Sequence, residues 1–175
     1  FKIKKDTDGK WKINMTQDDL VSKPHFCLYT GTEEEEEKEM IRKIYNSEWD
    51  KVDNSLTEEF EKLGLKNNWH GELIKVMMIT SSGAEGINLQ NVRNVHLIEP
   101  YWHPIRTEQV IGRARRICSH QALPYSDDDN KNERTVNVYL YLMTFSDEVA
   151  DDAKKNVKKD KSKEKYDGEY KLLTT

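Results

Sequence analysis

Lys75-Val76-Met77-Met78-Ile79-Thr80-Ser81-Ser82-Gly83-Ala84-Glu85-Gly86-Ile87-Asn88-Leu89 is the stretch that decides the fold class. With Leu73 and Ile74 ahead of it, the first part is an apolar run of strand length, and the second is a turn of hydroxyls and glycines. A strand that is apolar at nearly every position belongs in a parallel sheet covered by helices on both faces. Open α/β sheets place their ligands outside the carboxyl ends of such strands. A Gly-rich turn there lets backbone N–H groups reach phosphate oxygens, although a plain strand-to-helix turn uses the same residue types.

Moving outward, Val95-His96-Leu97-Ile98 is a second apolar strand ending at Glu99-Pro100, and Thr135 to Met143 is β-branched and aromatic, a last long strand. Between them, Thr107 to about Ile117 has helical spacing, with Val110, Ile111 and Ala114 on one side. On the other side of the deciding stretch, Phe26-Cys27-Leu28-Tyr29 reads as a strand. Thr32 with Glu35 three residues on is a capping-box pattern, and Met40, Ile41, Ile44 and Tyr45 follow at helical spacing, so Glu33 to about Asn46 is expected to be a helix with its acidic start in solvent. Alternation around Asp6-Thr7-Asp8-Gly9 predicts a hairpin over residues 1–13. Residues 48–71 are polar with a helical stretch from Leu56 to Leu65 and read as a surface insertion. The order of strands and helices predicts an α/β fold with a mostly parallel sheet.

The second chemically loaded segment is Gln109-Val110-Ile111-Gly112-Arg113-Ala114-Arg115-Arg116. Arg113 and Arg116 lie three apart on the expected helix and so share a face, while Gly112 admits a close neighbour. Paired guanidiniums on a rigid element can neutralise charge developing on a γ-phosphate. A solvated or carboxylate-paired basic face has the same composition.

Taken together, the two segments resemble motifs V and VI of the C-terminal RecA-like half of superfamily 2 helicases and translocases. Thr80 to Leu89 looks like motif V, and Gln109 to Arg116 has the Q-x-x-G-R-x-x-R form of motif VI. Glu99-Pro100-Tyr101-Trp102-His103-Pro104 is similar to a turn of Swi/Snf-type ATPases, with His103 where that group has Asn, and Tyr29 to Ser47 resembles the surroundings of motif IV. The run from Ser81 to His120 looks closest to helicase-like ATPases of large DNA viruses, of the poxvirus early-transcription-factor and nucleoside-triphosphatase type.

The resemblance implies a RecA-like P-loop NTPase fold, as the second lobe of a nucleic-acid-dependent ATPase. It implies Arg113 and Arg116 as arginine fingers and Gln109 as orienting ATP. Glu85, Gly86, Asn88 and Gly112 would lie at the nucleotide, Asn88 near the ribose. Thr80, Ser81, Ser82 and Gly83 would contact the nucleic-acid backbone, DNA before RNA. Trp102 would stack on a base or pack the domain. The implied cofactors are ATP and Mg2+, with Mg2+ held mainly by an N-terminal lobe. The implied partners are that lobe, nucleic acid and transcription machinery; the implied location is intracellular, in a viral factory, virion or nucleus.

The sequence contains no G-x-x-x-x-G-K-[S/T] loop, so the chain is expected not to hydrolyse ATP by itself. A catalytically inactive RecA-like scaffold within a viral transcription complex is the alternative.

Composition sets the bounds. The 175 residues, 20.6 kDa, have room for one domain. A start at Phe1 predicts a piece of a longer polypeptide. The expected division is an incomplete start over residues 1–25, the lobe over 26–146 with its insertion at 48–71, and a charged tail over 147–175. Charged residues make up 34% and mean hydropathy is −0.92, yet four Trp and eight Tyr supply a modest core. A net charge of −4 excludes nucleic-acid binding by bulk charge, leaving only local basic patches. The lysines from Lys154 to Lys165 alternate with acids, a solvated tail. No apolar run approaches the roughly 18 to 20 residues of a membrane span, and no signal-peptide pattern opens the chain. Cys27 and Cys118 read as structural thiols without the spacing of a metal site.

Overall fold

The computed structural model describes residues 1–80, 86–99, 103–128 and 130–142, with 144, 146 and 149. Two compact units divide after Leu140, and every strand and major helix discussed below lies in the first, Phe1–Leu140.

Two short strands, β1 (Ile3–Lys5) and β2 (Trp11–Ile13), pair antiparallel across the Asp6 to Gly9 turn, where Gly9 N–H donates to Asp6 C=O at 2.9 Å. The register opposes Lys5 to Trp11, and the Lys5 ammonium lies 5.1 Å from the indole centre. Ile3 and Trp11 are buried. After the short helix α1 (Gln17–Ser22), β3 (Phe26–Tyr29) pairs in parallel with β4 (Val76–Ile79), Phe26 opposite Val76 and Tyr29 opposite Ile79. A second parallel pair joins β5 (Asn94–Leu97) to β6 (Asn137–Leu140), with His96 stacked on Tyr139 at 4.7 Å.

Helix α2 (Glu35–Tyr45) enters between β3 and β4. The capping box expected at Thr32 does not form: the cap residue is Glu34, with no side-chain hydrogen bond. The capping chemistry falls earlier, because Glu33 turns back to accept from the Thr30 hydroxyl at 2.6 Å and the Thr30 N–H at 2.8 Å. Those bonds fix the turn after β3. Glu35, Glu36 and Glu37 then occupy the first turn, where the helix dipole favours negative charge.

The polar segment 48–71 departs most from expectation. Its helix α3 (Asn54–Lys62) is capped by Asp53, whose carboxylate accepts from Ser55 N–H at 2.9 Å. It ends in a Schellman turn: Leu65 N–H donates to Phe60 C=O, Gly64 N–H donates to Glu61 C=O, and Gly64 sits at φ +71°. Val52, Leu56 and Phe60 are buried with Ile41, Ile44, Leu73 and Ile74 in the main core. One face of the segment is therefore part of the core, not a surface insertion. Apolar residues are sparse in it but recur at helical spacing, and each fully buried side chain is worth about 2 kcal/mol or more.

Asn68 links this segment to β4. Buried beneath the strand entry, it accepts from Leu73 and Ile74 N–H at 2.9 and 2.8 Å and donates to Tyr45 and Ile74 C=O, both at 3.1 Å.

Two further expectations change. The β3–β4 pair is covered on one face only among the described residues: Cys27 and Tyr29 are buried, whereas Phe26, Leu28, Val76 and Met78 are 42–51% exposed. An apolar strand pattern registers the need for cover on both sides, and the described helices supply one. The regular strands are also shorter than their apolar runs, since Leu73 and Ile74 pack into the core ahead of β4 and β6 ends at Leu140.

Candidate functional site

Thr80 continues the ladder beyond β4, its N–H donating to Tyr29 C=O at 3.3 Å, and its side chain is exposed. Ser81, Ser82, Gly83 and Glu85 lie outside the described residues, as does Trp102. The chain re-enters at Gly86, which is exposed at φ +74°, a conformation costly for any residue with a Cβ. Burial then alternates. Ile87 and Leu89 are 2% and 7% exposed, and Asn88 between them has a buried Oδ1 with no hydrogen bond among the described residues.

The segment is held from α2. Asn46, immediately after that helix, donates from Nδ2 to Asn88 C=O at 3.0 Å and accepts at Oδ1 from Gln90 N–H at 2.9 Å. The Asn46 amide also donates to Glu48, which pairs with Arg42, itself forked onto Glu39. Burial pushes the Glu48 carboxyl up, but hydrogen bonds from Asn46 and Lys51 and the Arg42 charge outweigh it and leave the carboxyl below its ordinary range.

The arginine segment starts as α4 (Pro104–Ala114), with Pro104 at its first turn, where no N–H is needed. Gln109 and Gly112 are exposed, and a Cβ at Gly112 would meet nothing within 4 Å. Arg113 is half-buried, and its Nη1 is buried without a hydrogen-bond partner among the described residues.

The expectation that Arg113 and Arg116 share a helix face is overturned, because the helix stops at Ala114. Arg115 is its C-cap and Arg116 lies beyond, exposed. The Ser119 hydroxyl donates to Ala114 C=O at 3.2 Å, and Cys118 at φ +67° turns the chain back. Ser119 is buried and its carbonyl accepts from Asn91 N–H at 2.9 Å. His120 donates from Nε2 to Val92 C=O at 2.7 Å, since a carbonyl only accepts, and its Nδ1 lies 2.7 Å from the Ser119 hydroxyl.

The fold thus joins the two sequence segments. Ile87, Leu89, Val92 and Ala114 form one buried cluster with Tyr29 at the end of β3. On one segment an amide oxygen, Asn88 Oδ1, and on the other a cationic donor, Arg113 Nη1, are buried without partners; Asn91 Oδ1 is a third such atom. Such groups cost roughly 1–3 kcal/mol each if left unpaired, and native proteins retain few of them. An acceptor and a guanidinium match the hydroxyls of a ribose and the oxygens of a phosphate. The sequence patterns took in Asn46, Ser119 and His120 only as members of longer matching runs and gave none of them a role of its own.

Among the described residues, no group of three or more His, Cys, Asp or Glu is placed to hold a metal ion, and no helix is long and apolar enough to cross a membrane.

Comparison with known proteins adds independent findings. The family model for the helicase conserved C-terminal domain matches residues 22–118. A "Termination factor NPH-I homolog" of African swine fever virus is 37% identical over 117 residues, 67% of this chain and 13% of that protein. Two "Putative ATP-dependent RNA helicase" proteins of Acanthamoeba polyphaga mimivirus are similar. One is 35% identical over 116 residues, 66% of this chain and 11% of the relative. The other is 33% identical over 122 residues, 70% of this chain and 17% of the relative. The chain therefore spans a small fraction of each relative's length. No solved structure matches.

Proposed function

Since the chain belongs to the helicase conserved C-terminal domain family, with its RecA-like fold, we propose that it is the second lobe of a nucleic-acid-dependent ATPase of viral type. Residues 26–146, with the segment 48–71 inserted, are the lobe, 1–25 its hairpin and incomplete start, and 147–175 a charged tail. The observation that carries it is the junction of two segments at the Tyr29, Ile87, Leu89 and Ala114 cluster, with Asn88 Oδ1 and Arg113 Nη1 buried and unpartnered on either side.

In this reading the phosphate-binding loop and the Mg2+ ligands come from an N-terminal lobe, and ATP is bound in the cleft between the lobes. Asn88 orients the ribose. Arg113 supplies positive charge to the γ-phosphate as the bond to the leaving oxygen lengthens, and Arg116 adds charge from the turn after α4. Gln109, exposed on α4, orients ATP from this lobe, and Gly112 leaves room for the opposite lobe. Glu85 and Gly86 approach the nucleotide from the other segment. Thr80, Ser81, Ser82 and Gly83 hold the backbone of DNA or RNA without reading bases.

The test is ATP turnover by the whole polypeptide that carries this chain, with and without single-stranded DNA, duplex DNA and RNA. Stimulated turnover by the whole polypeptide and none by the 175-residue chain alone is expected. A whole polypeptide that folds yet neither binds nor hydrolyses ATP would overturn the proposal and favour a scaffold.

A further inference from the structure

Asn46 is 2% exposed and uses its entire amide. One Nδ2 proton goes to Asn88 C=O at 3.0 Å, the other to Glu48 Oε1 at 3.1 Å, and Oδ1 accepts from Gln90 N–H at 2.9 Å. The side chain thereby grips the backbone on both sides of Leu89, as a neighbouring strand would, although Asn46 lies more than forty residues away in sequence. Asn68 offers a comparison within the same core. It too is buried and bonded to backbone, but its partners are Tyr45, Leu73 and Ile74 at the entry to β4. Asn46 instead holds the segment that carries the unpartnered Asn88 Oδ1 and that shares a buried cluster with Ala114, next to Arg113.

We infer that Asn46 is a positioning residue for the nucleotide-facing segment Gly86 to Gln90, holding Asn88 where it meets the ribose of a bound adenine nucleotide. The inference rests on the proposed nucleotide site. Arg42 and Glu48 extend the hold into α2: Glu48 Oε1 accepts from both Arg42 Nη1 and Asn46 Nδ2, each at 3.1 Å, so the amide cannot rotate without breaking a charge-assisted bond.

The experiment compares Asn46→Ala and the isosteric Asn46→Asp with wild type in the whole polypeptide. Asn46→Asp keeps an acceptor for Gln90 N–H but loses the donor to Asn88. Two readouts are needed: ATP kinetics under saturating nucleic acid, and hydrogen exchange of the peptide covering residues 86–92. Faster exchange there, with KM for ATP raised about fivefold or more and kcat held within about threefold, is expected. A residue that only stabilises the fold would lower the active fraction, reducing kcat at unchanged KM. Unchanged KM, unchanged exchange, or outright unfolding of both variants overturns the inference. If wild type shows no ATP turnover, the nucleotide site itself falls, and with it the role assigned to Asn46, whatever the exchange shows.

Discussion

His120 donates from Nε2 to the carbonyl of Val92 at 2.7 Å, joining the chain that follows α4 to the chain that leads into β5. With Ser119 C=O accepting from Asn91 N–H, this latch holds the turn bearing Arg115 and Arg116 against the segment bearing Asn88. Replacing His120 by Ala removes its bonds to the half-buried Val92 carbonyl and to the Ser119 hydroxyl. The expected loss is about 1–2 kcal/mol, read from the urea midpoint. An unchanged midpoint would mean that the latch does not hold in solution.

Asn68→Ala should cost more. It strands the N–H groups of Leu73 and Ile74 and the carbonyls of Tyr45 and Ile74 in the core. A loss of about 3 kcal/mol or more is expected, enough to unfold a marginal domain. Phe60→Ala, at a fully buried site, should cost about 3–5 kcal/mol. If residues 48–71 were instead a surface insertion, denaturation would show Phe60→Ala to be nearly neutral.

Gly112 separates stability from function. Its Cβ position is open and it lies within α4, so Gly112→Ala should stabilise the lobe by about 0.5–1 kcal/mol, seen as a higher melting temperature. In the whole polypeptide the same change should lower ATP turnover if another lobe closes onto this face. Raised stability with normal turnover would remove Gly112 from the site.

Acid should loosen the Asn46 network. The Glu48 carboxyl sits below its ordinary value of 4.5 in the folded protein: burial opposes this, and hydrogen bonds from Asn46 and Lys51 together with Arg42 prevail. A depressed carboxyl stabilises the fold above the unfolded value, and that stability is lost as pH falls through the folded value. Glu48→Gln should therefore be less stable than wild type at neutral pH, with a shallower decline below about pH 4.5. Parallel declines in urea midpoints against pH would contradict the assignment.

Thiol reactivity gives a simple check of the turn after α4. Cys118 is exposed, whereas Cys27 is 1% exposed and its thiol is pushed up to about 12 by burial. A brief exposure to an alkylating reagent should modify Cys118 alone, as located by peptide mass spectrometry. Modification of Cys27 at a similar rate would mean that the core opens readily.

Much of this was legible in the residues, and the failures have physical causes. The runs at Phe26 to Tyr29 and Val76 to Ile79 announced parallel strands because buried strands need apolar side chains at successive positions. The spacing of Met40, Ile41 and Ile44 announced α2 for the same reason at another period. The depth of residues 48–71 was hidden because Val52, Leu56 and Phe60 are few among many charges, and a composition average outweighs a sparse stripe. The end of α4 was hidden because neither Gly nor Pro marks it between Ala114 and Arg116; the turn is made by Cys118 at φ +67° and by Ser119 returning to Ala114. At the site, Asn88 and Arg113 were visible through their motifs. Asn46 lay in the run resembling motif IV, but its hold on Asn88 was not legible, because its partners lie more than forty residues away in sequence.

The central claim is that Arg113 serves ATP hydrolysis from the edge of this lobe, and Arg113→Ala in the whole polypeptide tests it most directly. Nucleic-acid-stimulated turnover and ATP affinity are measured together. Turnover lower by about 10³-fold or more, with ATP binding within a few-fold of wild type, is predicted for a guanidinium that acts on developing charge. Near-normal turnover would contradict the account.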